Sequence, residues 1–392
     1  ETFLVRLREV FNDLLLTDRY LSGNRAIQLL DRSDYPDLSF YDNVEDGDLR
    51  GQLQSLANQS VAREPLDLIA HVVRNDRPFS EILTADYILL NPFSARVYGA
   101  SGFGYEDGTS PAQYDAKTFQ EVQLPGVPHA GILTSHMFLN RFPTTATNVN
   151  RHRSRMVFKL FLGTDVLKLA ERPVDPTQIQ DFNPTMYNPA CSVCHAVIDP
   201  MAGAFQNWDE RGRYRPPEAG WNQDMRPPGL GMETISIGEN DQSLRWLAER
   251  IADDDRFSVS VVHTMFTAMT GQTPISASTI GMTPAEGRAQ LRAFEAQNAV
   301  FDKARARFES SGQNIKEVVK SLATSAYMRA ANADDLPAER AGEFDWIGTG
   351  RLLTPELLDR KIEAVTGYPW LQWGRRVLRA DNGFRRSEEH TS

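Results

Sequence analysis

The chain has 392 residues, 41% of them hydrophobic and 24% charged, which predicts two or three folded units and excludes a wholly disordered protein. Lys and Arg total 42 against 52 Asp and Glu, and the resulting net charge of −10 disfavours nucleic acid and anionic membranes as partners. No run approaches the roughly 18 consecutive apolar residues that a membrane helix needs, and short apolar runs such as Ile88 to Leu90 are isolated.

Leu4, Leu7, Phe11, Leu14 and Leu15 recur every three or four residues and predict a first helix with one buried face. A second face is formed by Leu66, Ile69, Ala70 and Val73, and Pro78 ends that pattern. Asp42 to Gly47 superficially resembles a calcium loop, but Val44 occupies a ligand position and Leu53 stands where the terminal acid belongs. From Ser101 to Pro128, Gly, Ser, Pro and acidic residues dominate without periodicity, as in a loop or domain boundary. Helical spacing returns at Met156, Val157, Leu160 and Phe161, just after the basic residues Arg151, His152, Arg153 and Arg155. Such a run reads as a solvated helix terminus, or as a surface for an acidic partner.

A polar, Pro-bearing loop then leads to the two cysteines, and residues 216–232, with paired prolines, several glycines and Trp221, read as an irregular connection. Beyond it, Leu244, Leu247, Ala248 and Ile251 form one helical stripe. Val262, Met265, Phe266 and Met269 form the next, which stops at Gly271. Thr283-Pro284-Ala285-Glu286 combines a capping Thr, a Pro at the first helical position and a Glu placed to cap back. It predicts a long helix carrying Leu291, Phe294, Phe301 and Phe308 on its buried face. A last start at Asn314 precedes Ile315, Val318, Val319 and Leu322, and residues 331–348 turn polar and acidic like a linker. The fold class expected is mainly α. His71 and His263 fall within helical segments and read as structural histidines.

The only cysteines are Cys191 and Cys194, in Asn188-Pro-Ala-Cys-Ser-Val-Cys-His195. This is the C-x-x-C-H pattern of c-type haem attachment: two thiols three residues apart can form thioethers to two vinyl groups, and the adjacent imidazole falls under the iron. One motif implies one covalent haem c, with His195 as the proximal metal ligand. The competing readings are two buried structural cysteines, a disulfide, a thiol–disulfide redox site, which normally opens a helix in a β-α-β unit, and a zinc site, which needs further ligands nearby. Since such haem is attached outside the cytoplasm, a periplasmic or otherwise extracytoplasmic location follows. The chain lacks an initiator Met and a leader and reads as a fragment, and Arg386 to Ser392 (RSEEHTS) reads as an adapter-derived tail.

The stretch from Cys191 through Asp199-Pro200, Gly203-Ala-Phe205 and Asp209-Glu-Arg-Gly-Arg-Tyr214 resembles the haem segment of the multi-domain, planctomycete-type cytochrome family. Leu83 to Tyr87 with Tyr98-Gly99, His129 to Thr134, and Ser321 to Met328 resemble other stations of that family in the same order, so the likeness spans roughly residues 1–330. The basic residues at 151–155 depart from it, because the family often has a Ser/Thr/Pro-rich run after the position of Leu133. The resemblance implies helical domains around a haem-binding segment with long irregular loops. The divisions expected are an N-terminal helical domain (1–105), a haem-c-binding region (106–235), a C-terminal helical domain (236–330), a linker with the start of a further module (331–385), and the tail (386–392). It also implies that Pro200 and Phe205 lie near the haem. Arg213 matches the arginine of the Gly-Arg turn, where it could pair with a haem propionate or simply fasten the turn.

No Ser-His-Asp or paired-carboxylate site is visible, and the expected activity is electron transfer to a redox partner protein or domain. The alternatives are a haem-dependent oxidoreductase or peroxidase-like enzyme and a structural or interaction protein with a haem segment. For a sixth iron ligand, Met232 after Gly229-Leu-Gly231 ranks first, Met225 next and His136 as the imidazole alternative. Met201, in what reads as a tight Asp-Pro turn, and Met265 and Met269, on a helical stripe, read as packing residues.

Overall fold

The computed structural model describes residues 2–17, 19–22, 25–169, 184–215, 225, 227–329, 337–347, 353, 355–372 and 375–376. The expected tail at 386–392, residues 331–336 and 348 of the expected linker, and residues 216–224, with Trp221, and 226 of the expected connection lie outside them. The described residues are mainly helical, in the order α1 (Thr2–Leu15), α2 (Arg19–Ser22), α3 (Gly47–Ala62), α4 (Glu64–Arg74), α5 (Glu81–Thr84), β1 (Ile88–Leu90), α6 (Pro92–Tyr98), β2 (Gln120–Val122), α7 (His136–Arg141), α8 (Arg151–Phe161), α9 (Pro184–Tyr187) and α10 (Pro189–Gly203). There follow β3 (Gly229–Leu230), β4 (Glu233–Thr234), α11 (Ser243–Asp253), α12 (Asp255–Thr270), α13 (Pro284–Ser310), α14 (Ile315–Ala323), α15 (Ala326–Arg329), α16 (Pro355–Thr366) and a last pair of two-residue strands, Leu371–Gln372 and Arg375–Arg376. None of these helices is long and apolar enough to cross a membrane.

The chain forms two compact units, Glu1–Arg74 with Ser80–Asp254, and Asn75–Phe79 with Asp255–Ser392. In the first, α1 packs on α4, burying Leu4, Leu7, Phe11 and Leu15 on one helix and Leu66, Ile69, Ala70 and Val73 on the other. A second core gathers Leu53, Ala57 and Val61 of α3 with Phe93, Ala95 and Val97 of α6. The acidic stretch before α3 supplies that helix's cap, because the Asp46 carboxylate accepts the Asp48 and Leu49 amides. The loop expected over 101–128 contains β2, which pairs antiparallel with β1 through Leu89 and Glu121; three-residue strands are too short to display a period of two. His71 lies on α4 and bonds Glu121 through Nε2 at 2.9 Å, a structural contact.

The second unit is built on α12, α13 and α14, which pack on one another. Thr283 and Glu286 form the expected reciprocal cap of α13. Its buried face differs from the expected stripe: Ala289, Gln290, Ala293, Gln297, Phe301, Ala304 and Phe308 are inside, while Leu291 is exposed. Two glutamines occupy that face because each finds a backbone partner: Gln290 donates to the Ser276 and Ser278 carbonyls, and Gln297 accepts the Ile275 amide. The Phe301 ring meets both His263 and Phe266 at 4.9 Å between centroids, which gives the half-buried His263 a structural contact.

Candidate functional site: the Cys191–His195 helix

Cys191, Cys194 and His195 all lie in the first half of α10, a 15-residue helix whose first turns are closed by the Asn188 carbonyl accepting the Cys191 and Ser192 amides. Positions i, i+3 and i+4 fall on one helical face, so both thiols and the imidazole share a side. Both cysteines are free thiols and half-buried, and Cys194 Sγ lies 3.4 Å from the Val166 carbonyl. Among the described residues no group of three or more His, Cys, Asp or Glu side chains is arranged to hold a metal ion.

The Asp199-Pro200 step is not the tight turn its sequence suggests. Pro200 sits inside α10, which runs on to Gly203. A proline there removes one amide donor from the ladder, but it stands within a turn of the helix end, and the buried Ile198, Met201 and Ala202 hold that turn against the protein. Because the helix continues, Asp199 lies one turn beyond His195 on the same side. His195 Nδ1 lies 3.0 and 3.1 Å from the two Asp199 oxygens. Arg151, at the start of α8, closes the other side of the carboxylate with Nε at 2.7 Å and Nη2 at 3.1 Å. Burial pushes the Asp199 carboxyl up, but the hydrogen bonds from His195 and Arg151 outweigh it and hold the group below its ordinary value.

The rest of the segment is anchored from three directions. Ser154 on α8 donates to the Ile198 carbonyl at 2.8 Å, and Ser243 at the start of α11 donates to the Ala204 carbonyl at 2.7 Å. Gly203 allows the chain to approach closely, since a Cβ there would stand 2.4 Å from the Met225 carbonyl oxygen. Beyond Phe205, the Trp208–Tyr214 bridge closes a turn in which Asp209 accepts the Arg211 and Arg213 amides, both at 2.9 Å. The Arg153 guanidinium is fully buried beneath this turn. It donates five hydrogen bonds, to the carbonyls of Leu139, Phe142, Trp208 and Asp209 and to Asn150 Oδ1, and burial among these neutral acceptors lowers its pKa to about 9. The basic run at 151–155 is therefore an interior fastening rather than a solvated terminus: Arg151 and Arg153 bond inward, and Arg155 meets Asp165 at 3.4 Å.

The remaining candidate residues fall in different places. Phe205 is fully buried and Pro200 half-buried. Arg213 is engaged by two carboxylates, Asp209 at 2.7 Å and Asp31 at 2.8 Å, which makes it a turn fastener. The irregular connection expected through residue 232 gives way at Gly229 to a two-stranded hairpin, in which Leu230 pairs with Glu233 around a Gly231-Met232 turn. The Met232 side chain is 99% exposed at its tip, while β3 of the same hairpin packs on α10. Met201 and Met225 are buried. His136 is buried on α7 with Nε2 3.4 Å from the Tyr35 hydroxyl, and burial lowers its pKa to about 4.

Residues 129–218 match the family model described as PSCyt3: Protein of unknown function (DUF1588). This segment is similar to a planctomycete cytochrome c-type domain. The matched PSCyt3 stretch takes in α7, α8, α10 and the Asp209–Arg213 turn; Arg153 ties α7, α8 and the turn together, and Arg151 and Ser154 join α8 to α10. No curated protein and no solved structure matches the chain.

Two residues of the site escaped the sequence reading. Asp199 was visible as the i+4 neighbour of His195, but the proline after it read as a turn. Arg151 was hidden in a run of cations that reads as surface.

Proposed function

We propose that this chain is an extracytoplasmic c-type cytochrome that holds one haem covalently through Cys191 and Cys194, with His195 as proximal ligand, and passes single electrons to a redox partner protein or domain. The observation that carries the proposal is the donor set on α10: two free thiols and an imidazole share one helical face, with Nδ1 of the imidazole committed to Asp199. A ring held by Nδ1 presents Nε2 as its free nitrogen, the atom that a metal takes.

Haem, when bound, supplies a one-electron couple whose potential is set by its ligands and surroundings. The chain's own part is attachment and orientation. Cys191 and Cys194 would hold the group by adding S–H across its vinyl groups, a C–S and a C–H bond replacing the S–H bond and the vinyl π bond, so no oxidant would be consumed. Asp199 and Arg151 fix the plane and tautomer of His195. Of the residues weighed as a further iron ligand, the exposed Met232 in the connection after α10 would be the one left available, in contrast to the buried Met225 and the hydrogen-bonded His136.

The test is a variant series of the full chain, produced with an export signal and a cytochrome maturation system. Cys191→Ala and Cys194→Ala should each weaken or abolish covalent attachment, and the double variant should carry none. His195→Ala should keep the thioether sites and lose the low-spin spectrum. Equal attachment in all variants would overturn the proposal.

A further inference from the structure

We infer that Asp199 is a positioning residue that tunes the proximal imidazole, and that Arg151 moderates its effect. This rests on the reading of His195 as an iron ligand and deepens it. The geometry has three parts. The Asp199 carboxylate is nearly buried, at 4% side-chain exposure, and both its oxygens lie within 3.1 Å of His195 Nδ1. Its position i+4 from His195 on one continuous helix fixes that approach, so it does not depend on a loop. On its far side the Arg151 guanidinium grips both oxygens, at 2.7 and 3.1 Å, from a different helix.

A hydrogen bond from Nδ1–H to a carboxylate draws more charge toward Nε2 than one to a neutral carbonyl, because the acceptor is ionised and water is largely excluded. A more electron-rich Nε2 favours the more highly charged oxidised iron, so the carboxylate lowers the reduction potential. The bidentate Arg151 contact acts the other way. It spreads the carboxylate's charge over a second partner and weakens the pull on the ring. The potential would then be set by a balance between two residues 48 positions apart in sequence, each of which can be removed separately.

A purely structural salt bridge between α8 and α10 would affect stability and leave the potential alone, and this separates the two roles. The experiment uses the full chain with attached haem and measures three things: intact mass for attachment, the absorption spectrum for coordination, and the reduction potential by spectroelectrochemical titration. Asp199→Asn keeps the shape and loses the charge. It should leave one haem attached and shift the ratio of oxidised to reduced protein about tenfold toward reduced at fixed potential, a rise of about 59 mV for one electron. Asp199→Glu should recover part of that shift. Arg151→Gln should move the potential in the opposite direction, downward. Attached haem with unchanged potentials, or with both neutral variants moving the same way, would overturn the inference while leaving the cytochrome reading intact. Absence of covalent haem from the unaltered chain would overturn both. Should Asp199→Asn fail to fold, Arg151→Gln decides alone: a fall in potential supports the inference and no change overturns it.

Discussion

Replacing Arg153 by Met should destabilise the first unit by about 3–5 kcal/mol, because the change leaves buried acceptors without their donor and no solvent to replace it. Of the four carbonyls that Arg153 serves, that of Asp209 keeps the Gly212 amide at 3.1 Å, whereas those of Leu139, Phe142 and Trp208 lose this charged donor. Each stripped acceptor costs about 1–3 kcal/mol, and the lower end applies because Met also relieves the burial of a charge. Arg153→Lys should cost about half as much, since one ammonium cannot reach both the Phe142 and Asp209 ends of the fork. Urea unfolding followed by circular dichroism, together with proteolysis of the segment after α10, measures both. A loss under about 1 kcal/mol for Arg153→Met would refute the role of this side chain as the fastening of α7, α8 and the Trp208–Tyr214 turn.

Three further outcomes follow from other parts of the structure. Burial raises Glu64 to about 7 against hydrogen bonds from Tyr98 and Ser135, so the folded state holds its proton more tightly, and this group alone makes stability fall by about 3 kcal/mol as pH rises from about 4.5 to 7. His129 and His136, lowered by burial to about 4, act in the opposite sense and add stability as pH rises from about 4 to 6.5; Glu64→Gln should therefore steepen the gain below pH 6.5 and remove the decline above it, and an unaltered pH profile would contradict the assignment. Gly203→Ala should lose about 1–2 kcal/mol despite the better helix propensity of Ala, because the new Cβ meets a backbone carbonyl at 2.4 Å; a gain in thermal stability would show that the Met225 segment yields freely. Met232→Ala should leave stability unchanged within about 0.5 kcal/mol, since the side chain packs on nothing, and should remove a Met-to-iron absorption band and lower the reduction potential of haem-loaded protein; an unchanged spectrum removes Met232 as a ligand.

Helix positions were legible where apolar spacing recurred, as at α1, α4 and α11, or where a capping pattern marked the start, as at Thr283–Glu286 of α13. They were less legible where side-chain hydrogen bonds replaced hydrophobicity: Gln290 and Gln297 lie inside α13 while Leu291 is outside, an inversion that residue types alone do not announce. The attachment motif was readable because its chemistry is local, three residues within five positions. Its support was not, because Arg151 and Arg153 lie some 40 residues upstream and a run of cations ordinarily marks solvent. Pro200 misled for a related reason. Proline breaks a helix by what it removes, but here one ladder bond is lost while the buried Ile198, Met201 and Ala202 hold the last turn in place. The buried pairing of Glu64 with Tyr98 likewise joins residues 34 apart, with nothing in either neighbourhood to mark it.

The measurement that bears most directly on the cytochrome reading is the intact mass of the denatured full chain after export with a maturation system. One haem should remain on the polypeptide through acid and organic extraction, with no free thiols left, and production in a cytoplasm lacking that system should give colourless protein with both thiols free. Extractable haem, or a mass equal to that of the bare chain in the matured sample, would contradict it.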